Sequence, residues 1–161
     1  MFAVLCSLIK QNLFFCKEET WVKALGRHIL AEYFDCDREL LNDPIQLEKF
    51  LKQAAIKSNA TVVSSSFRTF EPFGVSGVVI IAESHLAIHT WPEYGFASVD
   101  FFTCGDSANP WKAHEYLKSV LKPLKTEEKE ILRGVLNIDD LKFKPVLINK
   151  QKIQTDSAVC V

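Results

Sequence analysis

The chain has 161 residues, 48% apolar and 24% charged, which suits one domain with a hydrophobic core and excludes a disordered or fibrous chain. Lys and Arg number 19 against 20 Asp and Glu, a net charge of -1 that argues against nucleic acid as the main partner, since phosphate binding draws on a basic surplus. Along the chain, Phe2 to Ile9 is apolar, but Lys10-Gln11-Asn12 stops the run well short of a bilayer's thickness. It lacks the leading positive charge and trailing cleavage site of a signal peptide, so residues 1–23 read as an N-terminal extension, and no membrane segment is expected.

Gly26 to Phe34 predicts a strand, broken by Asp35-Cys36-Asp37. From Asn42 the pattern becomes helical. Asp43 can cap, Pro44 suits the first turn, and Ile45, Leu47, Phe50, Leu51 and Ala54-Ala55 recur at helical spacing. Thr61 to Phe70 and Gly74 to Ala82 predict two strands with Glu71-Pro72-Phe73 as the turn between them. Ala97 to Cys104 predicts another strand. Asn109-Pro110 then opens a helix with Trp111, Tyr116, Leu117 and Leu121 among its apolar positions.

That order predicts an α+β fold, a two-layer sandwich with a mainly antiparallel sheet and helices on one face. The uncovered face must be buried, which a homodimer paired through the sheets would do. After Pro123 the chain turns charged, and Lys125 to Lys129 reads as solvated. The tail from Lys142 carries weak strand signals and ends in a polar segment. Residues 123–161 are therefore expected to be a charged segment and tail, partly disordered.

The five cysteines, Cys6, Cys16, Cys36, Cys104 and Cys160, are odd in number, widely spaced and without a C-x-x-C pair. That pattern suits neither a disulfide framework nor a structural zinc site, and fits a reducing, cytoplasmic compartment.

The chemistry concentrates between Gly74 and Gly95. An apolar strand runs into Glu83-Ser84-His85, followed by His89 and the turn Trp91-Pro92-Glu93-Tyr94-Gly95. Ionisable groups at the end of a buried strand need partners, so they form a satisfied network or a functional site. Strand alternation places Ser76 and Ser84 on one face, provided no turn falls between them. His85 and His89 have a metal-ligand spacing but no obvious third ligand. Ser84 with His89 lacks the G-x-S-x-G elbow of a hydrolase. Cys104, before Gly105, reads equally as an inert thiol.

Gly26-Arg27-His28, the run Gly74 to Gly95, and Phe102-Thr103-Cys104-Gly105 resemble, in order and spacing, the prokaryotic S-adenosylmethionine decarboxylase proenzymes, over residues 24–122. The resemblance implies a chain that cuts itself between Glu83 and Ser84. Ser84 would shift the preceding acyl group from nitrogen to oxygen, and elimination would leave a pyruvoyl group, the cofactor, with no metal or pyridoxal phosphate. It assigns His89 as the base for processing, Ser76 as the serine that hydrogen-bonds the cyclic intermediate during cleavage, and Cys104 as the proton donor of decarboxylation. The pyruvoyl carbonyl would hold S-adenosyl-L-methionine as a Schiff base. Phe70 would stack on its adenine and Glu93 hold the ribose hydroxyls. It further implies a homodimer with sites near its interface.

One segment departs from the family's Phe-His-basic-Phe pattern, being Phe67-Arg68-Thr69-Phe70. The Ser84 motif also occurs in pyruvoyl enzymes acting on L-arginine or L-ornithine, which leaves those substrates as the alternative reading. An uncleaved binding module is a third.

Overall fold

The structure, a computed structural model, describes residues 21–136 and 146–149. Cys6, Cys16, Cys160, the Phe2–Ile9 run and the polar C-terminal segment lie outside the described residues. The elements are β1 (Trp21–Phe34), α1 (Arg38–Leu41), α2 (Pro44–Lys57), β2 (Val62–Thr69), β3 (Val75–Ile81), β4 (Ser84–Trp91), a 3₁₀ turn (Pro92–Tyr94), β5 (Phe96–Cys104), α3 (Pro110–Leu121), β6 (Lys125–Val135) and β7 (Val146–Asn149). The strands form one sheet in the order β2-β3-β4-β5-β1-β6, with β7 pairing with the start of β1. Every pairing is antiparallel.

Both long helices begin as their local chemistry requires. The Asp43 carboxylate accepts the N–H groups of Ile45 and Gln46 at 3.0 and 3.1 Å, and the Asn109 side chain accepts that of Trp111 at 3.1 Å. Pro44 and Pro110 follow these caps, where a missing N–H costs nothing. α2 turns Leu47, Leu51, Ala54 and Ala55 inward, and α3 turns in Ala113, Leu117 and Leu121. Ile45, expected on the apolar stripe, is 78% exposed, because helical rotation places it with Glu48, Lys49 and Lys52 on the outer face.

The helices cover one face of the sheet. Alternate residues Ile29, Ala31 and Tyr33 of β1, Val79 and Ile81 of β3, Leu86 and Ile88 of β4, and Val99 and Phe101 of β5 meet them in the core. The two-layer α+β expectation holds. The opposite face carries the other set, including Ser76, His89, His28, Asp100 and Phe102, and no element of the described residues covers it.

The boundary expected after residue 122 is corrected. Residues 125–135 form β6, hydrogen-bonded along most of β1. Lys125, Glu127 and Lys129 do face solvent, but Glu128 and Glu130 alternate with them and turn under the helices. There Glu130 bonds both Arg27 and the Trp111 indole N–H, and Glu128 lies 3.2 Å from His114 Nε2. The Tyr33 hydroxyl sits 2.8 Å from the other nitrogen, Nδ1. Burial holds the His114 imidazole below its ordinary pKa despite the nearby Glu128 carboxylate.

Candidate active site

β3 and β4 are joined by a tight hairpin in which Ala82 and Glu83 form the turn and Ser84 opens β4. Ser76 and Ser84 thus sit at opposite ends of the hairpin, and the shared-face count, which needed an unbroken strand, fails at that turn. Ser84 has a φ of 153°, a backbone region that side-chain-bearing residues rarely occupy and that costs on the order of 1–3 kcal/mol.

The peptide group before Ser84 is pinned on both sides. Its carbonyl oxygen, that of Glu83, accepts the backbone N–H of Cys104 at 2.8 Å. The Glu83 carboxylate accepts the N–H of Thr61 at 3.0 Å, and the Ala82 N–H donates to the Thr61 carbonyl at 2.9 Å. Cross-strand register places Ser84 opposite Thr103. The Cys104–Glu83 bond makes that pair the closely spaced kind of antiparallel pair, in which side chains are nearest. Thr103 is fully buried, and its hydroxyl has no hydrogen-bond partner among the described residues. Ser84 Oγ is 3.3 Å from His85 Nδ1. Burial pushes the Cys104 thiol up, with the Arg133 guanidinium pulling it the other way.

A second cluster lies at the far end of the hairpin. Ser76 Oγ and His89 Nδ1 are 2.7 Å apart, on residues directly paired across β3 and β4. Phe70, half exposed, donates its N–H to the Gly74 carbonyl in the β2–β3 turn. Glu93 is exposed in the 3₁₀ turn, whose Pro92 approaches Gly74. The sequence-derived site residues therefore divide in two, Ser84 with Glu83 and Cys104 at one end, and Ser76, His89, Phe70 and Glu93 at the other. Five residues of strand, about 16 Å, separate His89 from Ser84.

Among the described residues no three His, Cys, Asp or Glu side chains converge as a metal site. His85 and His89 share the open face of β4, but His89 is bound to Ser76 and His85 lies against Ser84. Sequence reading missed Thr103 and a network on the open face, where His28 Nε2 lies 3.0 Å from Asp100 and Nδ1 accepts Arg133 at 3.0 Å. These residues come from β1, β5 and β6, and only cross-strand register relates them.

Residues 27–134 match the family model described as S-adenosylmethionine decarboxylase. The chain is 58% identical over 113 residues to the S-adenosylmethionine decarboxylase proenzyme of Thermosipho africanus, a match spanning 70% of this chain and 87% of that one. Against the proenzyme of Thermotoga maritima the identity is 55% over 113 residues, with the same shares of 70% and 87%. The chain belongs to the S-adenosylmethionine decarboxylase family. Its fold is similar to the crystal structure of the adenosylmethionine decarboxylase from Aquifex aeolicus, with a TM-score of 0.69 and 36% identity, covering 74% of this chain and 99% of that one. The match to the S-adenosylmethionine decarboxylase model ends within β6, which agrees with β6 being part of the domain.

Proposed function

We propose that the chain is a self-cleaving, pyruvoyl-dependent decarboxylase that converts S-adenosyl-L-methionine to decarboxylated S-adenosylmethionine, the aminopropyl donor for spermidine. The observation that carries this reading is the Glu83–Ser84 peptide group, with strained Ser84 on one side and a carbonyl bound by the Cys104 N–H on the other.

Ser84 Oγ attacks the Glu83 carbonyl carbon, and the Cys104 N–H is aimed at the oxygen on which negative charge then develops. Collapse moves the acyl group from nitrogen to oxygen. Removal of the Ser84 α-proton eliminates the ester and expels the main-chain α-carboxylate of Glu83, the new C-terminus, and hydrolysis of the remaining dehydroalanine releases ammonia and leaves the pyruvoyl group. The residues around Ser84 fit such a group, because the buried Thr103 hydroxyl beside it is a polar atom still lacking a partner. Once formed, the pyruvoyl carbonyl supplies an electron sink for the loss of carbon dioxide. Cys104 gives its thiol proton to the substrate carbon that lost carbon dioxide. Phe70 offers an aromatic face to adenine and to the sulfonium charge, and Glu93 offers a carboxylate to the ribose hydroxyls.

His89 is the base for processing, with Ser76 fixing its ring through Nδ1. Proton transfer requires contact at about 3 Å. His89 is about 16 Å along β4 from the Ser84 of its own chain, so the His89 that serves a given Ser84 belongs to a second copy. A two-fold dimer with the open sheet faces together, strands opposed, lays the His89 end of each over the Ser84 end of the other. The exposed Ile80 and Trp91 on that face suit burial. The free thiols of Cys36 and Cys104 accord with a reducing cytoplasm.

Release of labelled carbon dioxide from carboxyl-labelled S-adenosylmethionine, arginine and ornithine tests the reading. Release from S-adenosylmethionine alone, lost in Ser84→Ala, is expected. Release only from arginine or ornithine contradicts the substrate, and no cleavage with full ligand binding favours the uncleaved module.

A further inference from the structure

Gly26 stands between two strands. It pairs with Cys104 of β5 on one side and with Arg133 of β6 on the other. A side chain at Gly26 has no room: its Cβ atom would lie 2.9 Å from the Phe102 ring, 3.2 Å from Cys104 Sγ and 2.8 Å from the Thr103 carbonyl. The glycine thus leaves an opening on the open face across which a long side chain of β6 faces the thiol of β5. Arg133 fills that role. Its guanidinium carbon is 5.1 Å from the centre of the Phe102 ring, and Nη1 donates to His28 Nδ1 at 3.0 Å. Because Arg133 only donates, His28 Nδ1 must accept, which leaves Nε2–H to donate to Asp100 at 3.0 Å. The Phe102 ring stacks on His28 at 5.1 Å between centres. Arg133 is therefore held on one side by an aromatic face and on another by a histidine that is itself oriented by a carboxylate.

We propose that Arg133, anchored by His28 and Phe102 across the Gly26 opening, is a positioning residue that governs how readily Cys104 releases its proton. This rests on the reading of Cys104 as proton donor. As the S–H bond breaks, the proton passes to the substrate carbon, the electron pair stays on sulfur, and the thiolate later regains a proton from solvent. The fixed positive charge of Arg133 stabilises that thiolate. Burial opposes it, and Arg133 is the charge acting against burial at this thiol. The other titratable groups of the same face include His28 and Glu32 of β1, His85 and His89 of β4, Asp100 of β5, and Glu127 and Lys129 of β6, and the Asp100 carboxylate is occupied by His28. The Glu83 carboxylate is turned onto the Thr61 N–H.

The test is the pH profile of iodoacetamide alkylation read at the Cys104 peptide by mass spectrometry, alongside kcat and KM for decarboxylation. A thiol that protonates substrate is reachable by so small a reagent, and alkylation requires no turnover. Arg133→Gln is expected to lower Cys104 alkylation near neutral pH by about three- to tenfold, while the buried Cys36 is unaffected and both cleaved chains still form. The kcat value should fall in parallel with little change in KM. Arg133→Lys, which keeps the charge, should restore much of both, and His28→Leu, which removes an anchor from another strand, should shift the profile in the same direction as Arg133→Gln. An unchanged Cys104 profile in Arg133→Gln and His28→Leu overturns the proposal. A shifted profile with unchanged turnover upholds the Arg133–Cys104 coupling and overturns instead the proton-donor reading on which it was built.

Discussion

The carbonyl oxygen of Glu83 accepts the backbone N–H of Cys104 at 2.8 Å, so the peptide bond to be cut and the residue assigned to protonate substrate meet through the main chain. Cleavage then depends on the Cys104 N–H and decarboxylation on its thiol. Cys104→Ala keeps the first and removes the second. It is expected to cleave, while decarboxylation falls by about 10²-fold or more. Gel analysis of cleavage and a carbon dioxide assay on one preparation separate the two roles; equal loss of both would show that they are not separable.

The division of the site between the two ends of the β3–β4 hairpin gives a complementation prediction. Ser84→Ala alone and His89→Ala alone should each stay uncut. Co-produced, they form mixed dimers in which the Ser84 of the His89→Ala chain meets the intact His89 of its partner. That chain should be cut in the mixture and the Ser84→Ala chain should not. Persistence of both as full-length chains, in a mixture shown to contain mixed dimers, would place His89 on its own chain's Ser84.

Thr103 is fully buried with an unpartnered hydroxyl. Leaving such a group unsatisfied costs on the order of 1–3 kcal/mol, so Thr103→Val, close in shape, should stabilise the uncleaved fold by about 1 kcal/mol, roughly 2–4 °C in Tm. Thermal denaturation in the Ser84→Ala background reads this directly. A lowered Tm would mean that the hydroxyl already has a partner.

His114 is held neutral by burial against Tyr33, Phe101 and Trp111, with Glu128, Glu115 and Lys118 the charged groups around it. Its pKa is lower in the fold than in the unfolded chain, so below about pH 6.5 the unfolded chain binds the extra proton first. Stability should therefore decline as pH falls from there. Urea denaturation of Ser84→Ala across that range should show a slope that becomes shallower when His114→Gln is added. An unaltered slope would assign the acid sensitivity elsewhere.

Local chemistry made much of this legible in the sequence. Asp43-Pro44 and Asn109-Pro110 announce their helices because cap and first turn are made by adjacent residues. The run from Gly74 to Gly95 exposes the cleavage site because its residues are contiguous. The hairpin turn was hidden, since Ala82-Glu83 carries none of the Gly, Asn or Pro that marks a two-residue turn, and without that turn strand alternation puts Ser76 and Ser84 on one face. β6 was hidden too, because Lys125 to Glu130 holds only charged residues and Thr126 and lacks the apolar-polar period of a strand. Its half-buried acids find Arg27, Trp111 and His114 only in three dimensions. The separation of Ser84 from His89 was invisible for the same reason, since five residues is near in sequence and far along an extended strand.

An intact mass spectrum of the purified protein under denaturing conditions tests the central claim most directly. Cleavage between Glu83 and Ser84 predicts two chains of about 9 kDa each, residues 1–83 and 84–161, the second lighter by about 17 Da than a fragment beginning with serine, because ammonia is lost as the pyruvoyl group forms. A single chain of 18.3 kDa would contradict self-cleavage, and with it the catalytic roles given to Ser84, His89 and Cys104.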